Sequence, residues 1–228
     1  YGITLGNSLR RVLLSSLPGA AVTSVKLDGV LHEFSTIPGV VEDVTEIILN
    51  LKAMSLVIHD EEPHTLYLEA HNPGVVTAGD IKDTESVEIL NKDLVLATLD
   101  EGANLVMEIS VDIGRGYRTC EENKMADMPI GVIPVDSIFS PVTKVNYTVD
   151  QAWDATGTSY DRMVLEVWTD GSINPDEAVS RSARIMHDYM EIFMGLNEKG
   201  GDKEIMVKNV EEEKDKILAE RLELIQTP

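Results

Sequence analysis

The chain has 228 residues, enough for one large or two modest domains around a real core. Its 43% hydrophobic content and mean hydropathy of -0.05 describe an ordinary globular protein, and no apolar run approaches the roughly 20 residues that cross a bilayer. The net charge of -21, from 40 Asp and Glu against 19 Lys and Arg, repels a phosphate backbone; with no Lys/Arg tract to offset it, direct DNA or RNA binding is not expected.

The lone cysteine, Cys120, has no internal disulfide partner, which fits a reducing, cytoplasmic compartment. No secretory signal is visible. Position 1 is Tyr rather than Met, so we expect a fragment.

The opening run Gly2-Ile3-Thr4-Leu5-Gly6-Asn7-Ser8-Leu9-Arg10-Arg11-Val12-Leu13-Leu14-Ser15-Ser16-Leu17-Pro18-Gly19 reads as a short helix that Pro18-Gly19 ends, with Asn7 or Ser8 as its N-terminal cap. At about 100° per residue, Leu5, Leu9, Val12, Leu13 and Ser16 share one face, with Arg10, Arg11 and Leu14 opposite. One apolar face holds a helix on its own domain. A leucine between two arginines on the other face is either a lone exposed leucine or the centre of a second contact surface.

Ala21–Leu27 is rich in strand formers, Asp28-Gly29 is a turn dipeptide, and Val30–Phe34 reads as the returning strand. Past Pro38-Gly39, the spacing of Val40, Val44, Ile47, Ile48 and Leu51 predicts an amphipathic helix over Glu42–Lys52 with acidic residues at its start. Short strands follow at Ser55–His59, Thr65–Glu69, Val87–Leu90, Leu94–Leu99 and Leu105–Ile113, separated by turn clusters such as Asp60–Pro63 and His71–Gly74. Gly114–Met128 reads as a polar loop. Pro129, Pro134 and Pro141 keep the next segment from being a central strand throughout.

Two more strands, Lys144–Val149 and Met163–Thr169, precede the best-signalled helix. Asn174 is its cap, Pro175 its first residue, Glu177 reaches back as in a capping box, and Gly195 ends it. Ala178, Ser182, Ile185, Met186, Tyr189, Met190 and Phe193 give it a broad apolar side. A charged segment from Glu211, carrying Ile217, Leu218, Leu222 and Ile225, reads as a last helix. Helix, then a β-rich middle, then strands and a long helix is a nested α+β pattern, with one domain built from both chain ends and another inserted. Two helices with wide apolar faces over a few short strands leave apolar surface to spare. The adaptable Met186, Met190 and Met194 add to it, and such surplus favours a symmetric dimer.

No catalytic or metal constellation emerges. His59-Asp60-Glu61-Glu62-Pro63-His64 gathers metal-ligand types but lies at a strand-to-strand turn holding Pro63, not at helical spacing. His32, His71 and His187 read as ordinary packed or surface residues. Cys120 has no base nearby in sequence. Gly114-Arg115-Gly116-Tyr117 lacks the spacing and Lys-Ser/Thr ending of a phosphate loop. Two other readings stay open on residues alone: a metal-dependent hydrolase using His59, His64 and the carboxylate-rich loops, and a β-rich ligand-binding module.

The opening run closely resembles the first helix of the bacterial RNA polymerase alpha subunit, in its N-terminal assembly domain. The resemblance continues in order through Ala21–Val25, Asp28–Phe34, Ile37–Val40, Glu42–Val44, Leu49–Lys52, Val76–Ile81, Gly114–Tyr117, Pro129–Ser137 and Trp168–Ser172. It implies an α+β fold. An end domain of antiparallel strands with two packed helices would comprise residues 1–18 and 141–228, and an inserted, mostly-β domain with one helix residues 19–140. It also implies a non-catalytic subunit that homodimerises and carries the beta and beta-prime catalytic subunits, with omega and sigma in the holoenzyme, in the cytoplasm of a bacterium or in a plastid. No cofactor is implied.

By the same resemblance, Tyr1, Leu5, Leu9, Val12, Met186, Met190 and Phe193 match the dimer interface. Arg10, Arg11, Leu14, His32 and Glu33 match positions facing beta, and Asp161 and Arg162 positions facing beta-prime. Against the resemblance we read three departures: the 228 residues begin after the family's opening strand, they stop short of its DNA-touching C-terminal domain, and Gly79 stands where a second alanine is usual.

Overall fold

The computed structural model describes residues 1–60, 62–82, 84–125, 128–153 and 155–195. The chain divides into two compact units, Tyr1–His187 and Asp188–Pro228. The expected helix beyond Glu211 lies outside the described residues.

Helix α1 spans Gly2–Ser15, several residues earlier than a cap at Asn7 or Ser8 allows; both lie inside it. The cap is tertiary. Asp161 Oδ2 accepts from the Gly2 amide at 2.8 Å, so a distant carboxylate satisfies the end of the helix. After α1 the chain enters β1, Pro18–Leu27. Asp28-Gly29 turns as expected, with Gly29 at φ +75°, a conformation that suits glycine. The expected return strand over Val30–Phe34 does not form. Both edges of β1 are claimed by other strands, and Leu31 and Phe34 are left 72% and 81% exposed.

Helix α2, Val44–Lys52, is shorter by two residues than the expected Glu42–Lys52 because Asp43 is its cap. Asp43 Oδ1 accepts from the Glu46 amide at 2.7 Å, and Glu46 Oε2 accepts from the Asp43 amide at 3.3 Å, a reciprocal capping box. Val44, Ile47 and Leu51 form its buried stripe.

The strands β2 (Leu56–Ile58), β3 (His64–Ala70), β4 (Gly74–Thr77), β5 (Val87–Ile89), β6 (Val95–Leu99) and β7 (Leu105–Arg115) follow; β4 was not expected. Part of the expected polar loop is ordered as β8, Tyr117–Arg118, and α3, Cys120–Asn123, before β9, Val132–Pro134, and β10, Ser137–Ile138. An antiparallel sheet in the order β3-β7-β1-β9 is the backbone of this part, and β2–β5, β4–β6 and β8–β10 are two-stranded pairs. Along β7, Leu105, Met107, Ile109 and Val111 alternate inward, the period-two signature of a half-covered strand. They meet Val25 and Leu27 of β1, Leu66 and Leu68 of β3, and Ile47 and Leu51 of α2 in one large core.

A separate, smaller core lies between α1 and the last elements. The strands β11, Val142–Trp153, and β12, Ser159–Thr169, form a long antiparallel hairpin, extending well past the two short strands expected. Helix α4, Pro175–Met194, starts as its cap signals predict, with the Ala178 amide donating to the Asn174 carbonyl at 2.9 Å. Leu13, Leu17, Val142, Val145 and Ala178 are buried together, with Leu14, Leu165, Val167 and Ile185 packed at the margin.

Candidate partner-binding helix faces

The inner stripe of α1 is Gly2, Gly6 and Leu13, all buried, with Leu9 half-buried between them. This corrects the single apolar face drawn from the sequence: Leu13 belongs to the core, whereas Leu5, placed on the same face, is 47% exposed. The helix has three flanks rather than two. Tyr1, Leu5, Ser8 and Val12 form a side flank about 100° from the Gly6–Leu13 stripe, of which Tyr1 is 91% exposed and Val12 half-buried.

The guanidinium flank is divided as well. Arg10 Nε donates to the Val145 carbonyl at 3.4 Å, tying that side chain to its own hairpin. Leu14 is half-buried against the small core. Arg11 is exposed, and its guanidinium has no hydrogen bond, ion pair or ring contact among the described residues. Both arginines are exposed, but of the three residues only Arg11 lacks a side-chain contact to its own subunit among the described residues.

His32 and Glu33 lie exposed in the turn region after β1, where His32 Nδ1 and Ser35 Oγ are 3.1 Å apart. Asp161 is engaged with the start of α1, and Arg162 pairs with Asp150 across the hairpin at 3.6 Å. Met186, on α4, is half-buried. Met190 and Phe193 belong to the second unit, on the exposed end of the same helix. The residues that sequence reasoning passed over are Gly2, Gly6 and Tyr147. The i, i+4 glycine spacing was their one visible signal.

The histidine-rich turn is dispersed. His64 Nε2 lies 2.6 Å from Asp60 Oδ1 and holds that carboxyl below its usual range. His59 Nε2 is 3.7 Å from Glu88 instead. Among the described residues no three His, Cys, Asp or Glu side chains gather as a metal site. An open cleft of about 800 Å³ lies where Pro18, Ile58, Arg115, Pro141 and Arg181 approach one another; Arg181 is paired there with Glu177 at 2.5 Å. No helix among the described residues is long and apolar enough to cross a membrane.

Residues 25–140 match the family described as RNA polymerase Rpb3/RpoA insert domain. The DNA-directed RNA polymerase subunit alpha of Moorella thermoacetica is 59% identical over 218 residues, covering 96% of this chain and 70% of the relative. The subunits of the same name from Symbiobacterium thermophilum and Desulforamulus reducens are 58% and 60% identical over 223 residues, covering 98% of this chain and 71% of each relative. With identity of 58–60% over 96–98% of its length, the chain belongs to the DNA-directed RNA polymerase alpha-subunit family.

Proposed function

We propose that this chain is the non-catalytic assembly subunit of a bacterial DNA-directed RNA polymerase, working in the cytoplasm as a homodimer that gathers the beta and beta-prime subunits. The observation that carries the proposal is identity of 56–60% to alpha subunits across nearly the whole chain. The geometry of α1 supports it from a different direction, because a helix already seated on its own core still turns an apolar flank and a bare guanidinium outward.

In this reading Tyr1, Leu5 and Val12, with Met186, Met190 and Phe193, face a second copy, while Leu9 stays half-buried behind them on the inner stripe. Arg11 leads the surface for beta, with Arg10, Leu14, His32 and Glu33 around it. Arg162 and the neighbouring Asp161 lie toward beta-prime. The two hydrophobic cores, one drawn from residues between 22 and 135 and the other from residues 13–17 and 142–178, support an end domain of residues 1–18 and 141–228 holding an insert of residues 19–140. The acidic surface leaves nucleic acid to the partners.

The test is co-expression with the beta and beta-prime subunits, followed by affinity capture and sedimentation. A dimer that carries both large subunits is the expected result. A folded chain that stays monomeric at micromolar concentration and captures neither subunit refutes the proposal.

A further inference from the structure

The seat of α1 is made by missing side chains. Gly2 and Gly6 are buried one turn apart. A Cβ on Gly6 would stand 2.6 Å from Tyr147 Cδ2 and 2.9 Å from Cε2, and one on Gly2 would stand 2.7 Å from Val149 Cγ1. Ordinary carbon contacts are about 3.5–4.0 Å, so bare backbone lies directly on the Tyr147 ring. Tyr147 and Val149 are alternate residues of β11 and therefore share one face of the hairpin. Asp161, from β12, grips the same end of the helix through the Gly2 amide. Depth and rotation of α1 are thus set at one place, by contact and by a hydrogen bond from a second strand.

The consequence lies a quarter-turn away. Leu5 and Val12 stand about 100° around the helix from Gly6. A methyl group at position 6 would lift the helix by about 1 Å or roll it, moving the side flank relative to everything it meets. Resting on the reading that this flank receives a second copy, we propose that the Gly6–Tyr147 contact, secured by Asp161, is the positioning element of the dimer interface. It fixes the angle at which Leu5 and Val12 are presented.

The test compares the dimer dissociation constants of the wild-type chain, Gly6→Ala, Tyr147→Ala and the double variant by sedimentation equilibrium, at a temperature where circular dichroism shows each folded. Gly6→Ala weakens the dimer about tenfold or more. Removing the ring gives the added methyl its space, so the double variant binds more tightly than Gly6→Ala and the cycle is strongly non-additive. Asp161→Asn keeps an acceptor oxygen and dimerises within about threefold of wild type, whereas Asp161→Ala does not. Folded Gly6→Ala that dimerises like wild type, penalties that simply add, or a Gly6→Ala chain that Tyr147→Ala fails to rescue in folding or association overturns the seat. A wild-type chain that is itself monomeric refutes the dimer reading instead, which keeps the two failures distinct.

Discussion

Arg11 and Leu14 lie three residues apart on one flank of α1, yet the structure predicts that their replacements behave differently. Arg11→Ala removes an exposed side chain with no intramolecular partner among the described residues, so the cost in folding stability is within about 0.5 kcal/mol. If Arg11 anchors beta, the cost in capture is about 2 kcal/mol, a loss of roughly 30-fold. Leu14→Ala takes a half-buried side chain from the margin of a core with five buried residues. It should cost about 1–2 kcal/mol of folding stability, or a few degrees in melting temperature, in addition to any loss of binding. Thermal melts of the isolated chain and titration of beta onto a fixed concentration of alpha dimer read the two quantities separately. A melting temperature that falls as far for Arg11→Ala as for Leu14→Ala shows that the Arg11 guanidinium serves its own subunit. Unchanged capture by Arg11→Ala removes it from the partner surface.

Leu13 is completely buried at the centre of the small core, and Leu13→Ala should cost about 3–5 kcal/mol; hydrogen exchange is expected to lose protection in α1 and the β11–β12 hairpin while the β1–β7 ladder keeps its own. Lys52 Nζ donates to Asp136 Oδ2 at 2.6 Å and the Tyr117 hydroxyl donates to it at 3.2 Å. The Lys52 bond holds the Asp136 carboxyl below its usual range. A carboxyl depressed in the folded state contributes stability that is present above its unfolded value of about 3.9 and is lost as pH falls through its folded value. Denaturant titrations from pH 6 down to pH 3 should therefore lose less stability in Asp136→Asn than in wild type, and identical slopes would contradict the ion pair.

What was legible in the sequence was whatever is encoded locally. Asn174-Pro175 and the acids behind them place the start of α4 because caps and first-turn charges act within four residues. The alternation in Leu105–Ile113 yields β7 for the same reason. The larger failures are long-range, although the local Asp43–Glu46 capping box that sets the start of α2 was also missed. Val30–Phe34 has strand composition but no free edge to pair with, since β7 and β9 occupy β1. At the start of α1 the Gly2 amide is satisfied by Asp161, 159 residues further on, a partner no local pattern announces. The division of the α1 flanks failed because a helical wheel treats glycine as a gap. Here Gly2 and Gly6 are the deepest residues of the first two turns, and the wheel's centre shifts toward them. For the proposed partner surface, the sequence put Arg11 and Leu14 on one flank, but the difference in their burial was not readable.

Charge makes a final separation between the two outward flanks of α1. The chain carries -21, and two such chains brought together repel. Yet no Asp or Glu occurs before Asp28, so α1 itself brings no carboxylate to a second copy, although Asp161 stands at its start. The repulsion that remains comes from the rest of the surface and is screened by salt over a Debye length of about 10 Å at 0.1 M. Dimerisation through Tyr1, Leu5 and Val12 should therefore tighten as salt rises from 0.05 to 0.5 M, because screening removes repulsion while apolar burial is unaffected or strengthened. If Arg11 docks on an acidic surface of beta, as proposed, that capture is an attraction between opposite charges, so the same salt should weaken it, chiefly through a slower association rate. Measured on one preparation, the two dissociation constants are expected to move in opposite directions. If both weaken together, the dimer is held by charge rather than by the apolar flank, and the flank assignment of α1 is wrong.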